Sequence, residues 1–267
     1  MRFFRRAGAA VLLAAVLLTT GCGTKPPTDT TDAGNAQTGD GLVEVKNGLD
    51  LPGYYYENNL TDKAADPFIL YADDTYYLYA TGGSRFSVRQ TKYLNAWPSE
   101  SKPILSLADL SWAREKGWAP EVYAHAGKYY MIFSAQGYND LHAIDIAVSD
   151  TPDGTFKPLS SAPFFAPDYS VIDGSLFFDD DGRIYMYYSK DNSTNTVGGK
   201  RTSQTYGIEV EKDFSGVIGE PVLISTPEQE WELKSGSVVW NEGPVVFKEN
   251  GVYYLLYSAN YYVSEQY

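Results

Sequence analysis

Three acidic residues, Asp66, Asp173 and Glu242, open three copies of one repeated sequence pattern. Each copy begins with a short polar stretch, runs through an apolar strand and a turn, and closes with a tyrosine-rich strand. If the copies pack side by side, their openings meet and the three carboxylates converge. Grouped carboxylates raise one another's proton affinity, so one can stay ionised while another stays protonated. Such a pair supplies the base and the acid that cleavage of a glycosidic bond requires.

Each of these acids, taken alone, has a simpler interpretation as a turn residue or as a cap at the start of a strand. Their shared position within the repeat favours a common site instead. The second copy opens with Ala119 and carries an acid, Glu121, two residues later.

The repeat itself predicts an all-β fold. A short tyrosine-rich hairpin recurs with a turn such as Asp180-Asp181-Gly182, and His142 to Ser149 has the alternating pattern of an outer strand. The spacing of the copies suits one four-stranded sheet per repeat, which is the period of a β-propeller. A stack of unrelated hairpins is the alternative. The four copies occupy residues 66–79, 119–133, 173–188 and 242–257.

Composition excludes several classes of protein. Of the 267 residues 43% are hydrophobic and 23 are tyrosine, too many for a chain that stays disordered. The net charge of −13 disfavours binding to nucleic acid, because the phosphate backbone is also negative. A neutral carbohydrate fits better, since tyrosine and tryptophan offer flat apolar faces with polar edges.

The N-terminal segment is predicted to be an export signal. Residues 1–21 combine an arginine-rich start with a short apolar run, and Cys22, the only cysteine, follows a stretch that resembles a bacterial lipobox. We therefore expect lipidation of Cys22 and a cell-surface lipoprotein, with an ordinary secreted bacterial protein as the alternative. Residues 22–42 are polar and are predicted to form a flexible tether. The folded domain is then predicted to occupy residues 43–267.

The repeat openings resemble those of glycoside hydrolase family 43, the five-bladed propellers that act on arabinose-, xylose- and galactose-containing glycans. The resemblance covers about residues 50–267. It is carried by Asp66-Pro67, Trp118-Ala119-Pro120-Glu121-Val122, Ile172-Asp173-Gly174-Ser175 and Asn241-Glu242-Gly243-Pro244.

The resemblance implies an inverting hydrolase with three acidic residues in separate roles. Asp66 would be the general base that activates water, and Glu242 the general acid that protonates the leaving oxygen. Asp173 would keep Glu242 protonated and oriented. Trp118, Glu121 and Phe86 are the predicted substrate-binding residues; for Trp118 and Phe86, core packing between blades is the alternative. The related propellers that retain configuration use an Arg-Asp-Pro motif, which this sequence lacks.

The sequence departs from the family in two respects. Family members have five blades, whereas about four are recognisable here, so the domain is expected to be incomplete at its C-terminus. Many members also hold a cation in the central channel with a histidine of the last blade. The two histidines present are His125, in the hairpin turn of the second repeat, and His142, which opens the predicted outer strand after it, so neither lies in the last blade. We therefore predict no metal ligands and no required cofactor, and a channel calcium has no support in the sequence.

The predicted function is cleavage of O-glycosidic bonds in plant-type polysaccharides or oligosaccharides by an exported, monomeric enzyme. Its partner is a carbohydrate and not a nucleic acid, and it contacts the membrane only through the lipid anchor. The alternative is a cell-surface propeller that binds glycans without turnover. Replacing Asp66 or Glu242 by alanine separates the two. The enzyme would lose its release of reducing sugar, whereas the glycan-binding propeller would retain glycan and release no sugar even in the parent protein.

Overall fold

A computed structural model of the protein describes residues 64–265 and residue 267. The predicted signal (1–21), the tether (22–42), Cys22 and the beginning of the predicted domain lie outside the described residues. Within the described part, no helix is both long enough and apolar enough to cross a membrane.

Nearly all regular structure in the described residues is β-strand, as the repeat predicts. Two short 3-10 helices, Leu107–Asp109 and Glu230–Leu233, interrupt the strands. The strands are β1 (Phe68–Ala72), β2 (Thr75–Tyr79), β3 (Arg85–Thr91), β4 (Lys102–Ser106), β5 (Ala113–His125), β6 (Lys128–Gly137), β7 (His142–Ser149), β8 (Lys157–Pro158), β9 (Val171–Phe178), β10 (Ile184–Lys190), β11 (Thr196–Val197), β12 (Lys200–Thr202), β13 (Gln204–Val210), β14 (Val217–Ser225), β15 (Val238–Val239), β16 (Asn241–Glu249) and β17 (Val252–Ala259).

The strands form sheets that correspond to propeller blades. Three sheets have four antiparallel strands each, in the orders β1-β2-β3-β4, β5-β6-β7-β8 and β9-β10-β13-β14. The hairpin β16-β17 is the start of a fourth blade, and β11, β12 and β15 form a small additional sheet. This arrangement confirms the all-β propeller fold, with the four repeats at the first two strands of each blade.

Tight turns account for the hairpin in three of the four repeats. Two-residue loops connect the paired strands at Asp73-Asp74, Ala126-Gly127 and Asn250-Gly251, and both residues of each loop have positive φ. A two-residue hairpin needs this left-handed conformation because it matches the twist of the flanking strands. The third repeat uses the longer turn Asp179–Arg183, in which the Gly182 N–H donates to Asp179 O over 2.9 Å.

Each repeat opens with a residue in left-handed conformation: Asp66 (φ 51), Ala119 (φ 43), Asp173 (φ 56) and Gly243 (φ 61). In the second, third and fourth repeats the pairing register shifts at this point, as in a β-bulge. The fourth opening is therefore Gly243 rather than Glu242, and Glu242 occupies the preceding position, equivalent to Trp118. A bulge redirects side chains at the strand end, which is how these residues reach the channel.

The hydrophobic core lies between consecutive blades. One cluster joins the first and second blades and includes Tyr79, Phe86 and Phe133, while another joins the second and third blades and includes Ile144, Met186 and Tyr188. The tyrosines of the closing strands thus mainly serve blade packing in the first three repeats, whereas Tyr253 and Tyr254 of the fourth are exposed.

The β16-β17 hairpin is attached to the third blade by polar contacts. Lys248 Nζ lies 2.8 Å from Asp179 Oδ1 and 2.8 Å from Asp180 Oδ2, and the Tyr253 hydroxyl donates to Asp179 Oδ2 over 2.7 Å. These bonds fix the strand that carries Glu242 relative to the blade that carries Asp173.

Candidate active site

A pocket of about 880 Å³ lies at the repeat openings of the inner strands β1, β5, β9 and β16. Residues from four blades line it, so folding brings together side chains that are distant in sequence. Five of the six sequence-predicted site residues line it: Asp66, Trp118, Glu121, Asp173 and Glu242.

Asp66 lies at the exposed rim of this pocket. The Thr81 hydroxyl donates a hydrogen bond to Asp66 Oδ2 and accepts one from the Ala119 backbone N–H over 2.9 Å. Thr81 follows β2, the strand paired with β1, so the hairpin itself returns it to the side of Asp66. The carboxylate is consequently oriented by a side chain that is anchored to the next blade.

Asp173 is held between two blades. Its backbone N–H donates to Ser134 Oγ over 2.9 Å, and its Oδ2 accepts from the Gly243 N–H over 3.0 Å. Burial, and after it the charge of Asp66, raises the pKa of Asp173 to about 7. The carboxyl of Asp173 therefore keeps its proton to a higher pH than that of a free aspartate.

Glu242 comes from the fourth blade and is half-buried. Burial, and after it the neighbouring charge of Asp173, raises the pKa of Glu242 to about 8. The Tyr267 hydroxyl donates to Glu242 Oε1 over 3.3 Å. At neutral pH Glu242 accordingly holds a proton that it can give to a leaving group.

Asn241, the residue before Glu242, is fully buried and bound on both sides. Its Oδ1 accepts from the Thr205 hydroxyl over 2.7 Å, and its Nδ2 donates to Glu232 Oε1 over 3.3 Å. Glu232 is itself buried and also accepts from the Tyr257 hydroxyl over 2.8 Å. This network fixes the backbone from which Glu242 enters the pocket.

Glu121 is bound to neighbouring polar groups. The Tyr123 hydroxyl donates to Glu121 Oε2, lies 3.3 Å from Ser175 Oγ and accepts from the Leu176 N–H over 3.1 Å. Burial raises the pKa of Glu121 to about 7. Glu121 lines the pocket, and its predicted role in substrate binding stays a prediction.

The two predicted aromatic residues have different surroundings. Trp118 is half-buried, lines the pocket and stacks on the His142 ring, with 4.4 Å between centroids and 23° between planes. Phe86 is fully buried and packs on Phe133, with 5.0 Å between centroids. The expectation that Phe86 stacks on a sugar is therefore wrong, because its ring belongs to the core between the first two blades.

The sequence reasoning missed a fourth acid in the pocket. Asp191 follows β10 and adds negative charge that raises the pKa of both Asp173 and Glu242. Trp240, Tyr262 and Tyr267 also line the pocket and were not anticipated. Asp191 and Thr81 both follow the second strand of a hairpin. This position lies opposite the opening of the repeat, so the sequence pattern could have predicted that Asp191 and Thr81 lie near the three acids.

Among the described residues, no group of three or more histidine, cysteine, aspartate or glutamate side chains is arranged to hold a metal ion. The expectation that the protein requires no metal or other cofactor stays a prediction.

A family model described as glycosyl hydrolases family 43 matches residues 57–267. Among solved structures, a thermostable family-43 glycoside hydrolase superimposes with a TM-score of 0.74 at 38% identity, covering 80% of this chain and 70% of that one. Both comparisons agree with the family resemblance of the repeat openings.

Curated relatives match over shorter shares of their own length. An extracellular exo-alpha-(1->5)-L-arabinofuranosidase of Streptomyces chartreusis is 28% identical over 77% of this chain and 62% of the relative. A xylosidase/arabinosidase 43A of Humicola insolens is 40% identical over 32% of this chain and 25% of the relative. The chain thus spans less than two thirds of either relative.

Proposed function

Because the chain belongs to glycosyl hydrolases family 43, we propose that it is an inverting glycosidase whose three acids are Asp66, Asp173 and Glu242. The observation that carries the proposal is the convergence of these carboxyls from three blades in one pocket, with raised pKa values at Asp173 and Glu242. A protonated glutamate opposite an exposed aspartate is the pair that inverting hydrolysis uses.

In the proposed reaction a single displacement breaks the glycosidic bond. The Asp66 carboxylate removes a proton from a water molecule as the water oxygen attacks the anomeric carbon. The bond from that carbon to the glycosidic oxygen breaks, and Glu242 gives its proton to the departing oxygen. Asp173 does not bond to the water; its charge keeps Glu242 protonated, and its bond to the Gly243 N–H orients the strand that carries Glu242.

The proposed substrates are arabinose-, xylose- or galactose-containing plant-type polysaccharides and oligosaccharides. The names of the relatives, an arabinofuranosidase and a xylosidase/arabinosidase, support the first two sugars. Trp118, with its ring held by His142, offers a flat face for a sugar ring beside the carboxyls. The proposed enzyme requires no cofactor and acts as a monomer.

Hydrolysis of a panel of nitrophenyl arabinofuranosides, xylosides and galactosides by the full chain tests the activity. We expect release of nitrophenol from at least one of them and loss of that release in Asp66→Ala, whereas Glu242→Ala should abolish release of reducing sugar from a natural oligosaccharide, whose leaving oxygen needs the proton. Proton NMR of the first sugar product should show the anomer opposite to that of the substrate. Retention of a polysaccharide on the protein without any release of sugar would instead support a glycan-binding propeller.

We further propose that the protein is exported and anchored through lipidated Cys22. The lipobox-like stretch before Cys22 supports this, and the Streptomyces relative is named as extracellular. Metabolic labelling with a palmitate analogue should mark the wild-type protein but not Cys22→Ser. Equal labelling of both, or labelling of neither, would contradict the anchor.

A further inference from the structure

A second pocket of about 290 Å³ lies beside the first, on the far side of the Trp118–His142 stack. Trp118 lines the first pocket and His142 lines the second, so the two stacked rings form the partition between them. We call this space the Tyr138 pocket. Its lining includes Trp112, Tyr138, Asn139, His142, Pro163 and Pro167.

Strand pairing places the Tyr138 pocket on the same face of the propeller as the carboxyls. β6 runs antiparallel to β5, with Ser134 opposite Trp118 and Gly137 opposite Ala113. The loop from Gly137 to His142 therefore lies beyond Trp118, in the direction away from the blade centre. At about 3.4 Å per residue, Gly137 is ~10 Å from Ser134. A short oligosaccharide spans that distance, whereas a single sugar does not.

The loop that carries Tyr138 is held by hydrogen bonds at both ends. The Gly137 N–H donates to Leu141 O over 2.8 Å, and the Asp140 N–H donates to Gly137 O over 3.2 Å. The Gln136 side chain donates to Asp140 O over 2.9 Å. Yet Tyr138 at the tip of this fixed loop is 69% exposed, so its ring contributes little to the core.

A salt bridge holds the same loop to the neighbouring strand. Arg114 Nη1 lies 2.8 Å from Asp140 Oδ1, and Arg114 Nη2 donates to Gln136 Oε1 over 3.2 Å. A loop ordered before binding spares the entropy of ordering it afterwards, which is the basis of a pre-organised site.

Trp112 adds an aromatic ring whose orientation is fixed by a hydrogen bond. Its Nε1–H donates to Asp145 Oδ2 over 2.9 Å, and Asp145 is almost fully buried in β7. This bond fixes the indole while the ring still lines the pocket. The fixed Trp112 ring and the Tyr138 ring beside a polar side chain, Asn139, are the combination that suits a sugar, which has apolar ring faces and hydroxyl edges.

We propose that the Tyr138 pocket is a second sugar-binding subsite, which holds a remote unit of the same carbohydrate chain whose glycosidic bond lies at the carboxyls. This inference rests on the proposed function for the identity of the ligand. The position of the Tyr138 pocket next to the active-site pocket and on the same face of the propeller, with only the Trp118–His142 stack between them, favours this occupant over a protein segment. The subsite would make longer oligosaccharides better ligands than single sugars.

Calorimetric titration of the full chain carrying Glu242→Gln tests the subsite without turnover. The probes are xylotetraose, linear arabinotetraose, xylose and arabinose. Adding Tyr138→Ala should raise the Kd of the bound tetrasaccharide relative to that of its monosaccharide by roughly threefold to tenfold, as expected for one aromatic contact. Tyr138→Phe keeps the ring and should restore the affinity.

Tyr71→Ala is the matched control, because Tyr71 is also an exposed tyrosine but lies at the opposite end of its blade. An unchanged ratio in Tyr138→Ala, an equal loss in Tyr71→Ala, or no tetrasaccharide binding at all would overturn the subsite. Selective loss of tetrasaccharide affinity, with no hydrolysis by the wild-type chain, would uphold the subsite and refute only the proposed reaction.

Discussion

Asp173 Oδ2 accepts a hydrogen bond from the Gly243 N–H over 3.0 Å, which binds the carboxyl of the third blade to the residue that follows Glu242. The left-handed conformation of Gly243 places its N–H at the strand opening, where Asp173 can reach it. The same contact holds the Asp173 charge near Glu242, whose pKa it raises. Burial is the main cause of the raised pKa of Glu242, and the contact between Asp173 and Gly243 adds the Asp173 charge to it while it orients the strand.

Removing the proton donor should affect substrates according to their leaving groups. Glu242→Gln should lower kcat on a natural oligosaccharide by roughly a hundredfold to ten-thousandfold, the usual contribution of a general acid. A nitrophenyl glycoside should lose far less, because nitrophenolate leaves without a proton. Steady-state kinetics on both substrates measure the difference. Glu249→Gln, an exposed change at the far end of β16, is the control. An equal loss on both substrates would contradict the assignment of Glu242 as acid.

The pH profile should report the protonation of Glu242. Glu242 is active while protonated, so kcat/KM should fall as the pH rises through about 8, its raised pKa. Asp173→Asn removes a negative neighbour and favours the ionised form of Glu242. The pKa of Glu242 should then decrease, and the alkaline limb should move to lower pH. Rate profiles of the wild type, Asp173→Asn and the exposed control Asp109→Asn test this. A limb that stays in place in Asp173→Asn would refute the coupling.

Thr81 is expected to act by positioning Asp66. Thr81→Val keeps the shape of the side chain but removes the donor to Asp66 Oδ2 and the acceptor for the Ala119 N–H. One hydrogen bond to a charged group contributes about 1.5–3 kcal/mol, so kcat should fall by roughly tenfold to a hundredfold with a smaller change in KM. Thr75→Val, at the opposite end of the same hairpin, should leave kcat intact. A change in KM alone would argue against positioning of the base.

The sequence predicted the fold well because the repeat is visible in local patterns. The tyrosine-rich strands, the turn residues and the outer strand His142–Ser149 all follow from alternation and turn chemistry. The repeat openings also predicted that Asp66, Asp173 and Glu242 meet in one pocket, although Glu242 stands one position before the opening of its repeat at Gly243.

The errors arose where packing between blades decides the outcome. Phe86 is in the core because β5 passes directly over its ring: a Cβ at Gly117 would lie 2.9 Å from Phe86 Cζ. Neither its aromatic character nor its neighbours in sequence indicate that contact. Likewise the fourth repeat opens at Gly243, since glycine adopts positive φ without strain, and the acidic residue alone suggested the preceding position.

The stability of the fourth blade should depend on the buried carboxylate of Glu232. Its Oε2 accepts from the backbone N–H groups of Glu228 and Gln229 over 2.9 and 2.7 Å, and its Oε1 accepts from Tyr257 and Asn241. The amide of Glu232→Gln has one acceptor oxygen in place of two. Its nitrogen cannot accept a hydrogen bond, and it must face either the two backbone N–H groups or the donors of Tyr257 and Asn241. Leaving buried donors unsatisfied costs about 1–3 kcal/mol, and we expect a loss of that size in urea unfolding. Glu230→Gln changes an exposed residue of the same helical turn and should be nearly neutral. Equal stability of the two variants would show that the four donors find other partners.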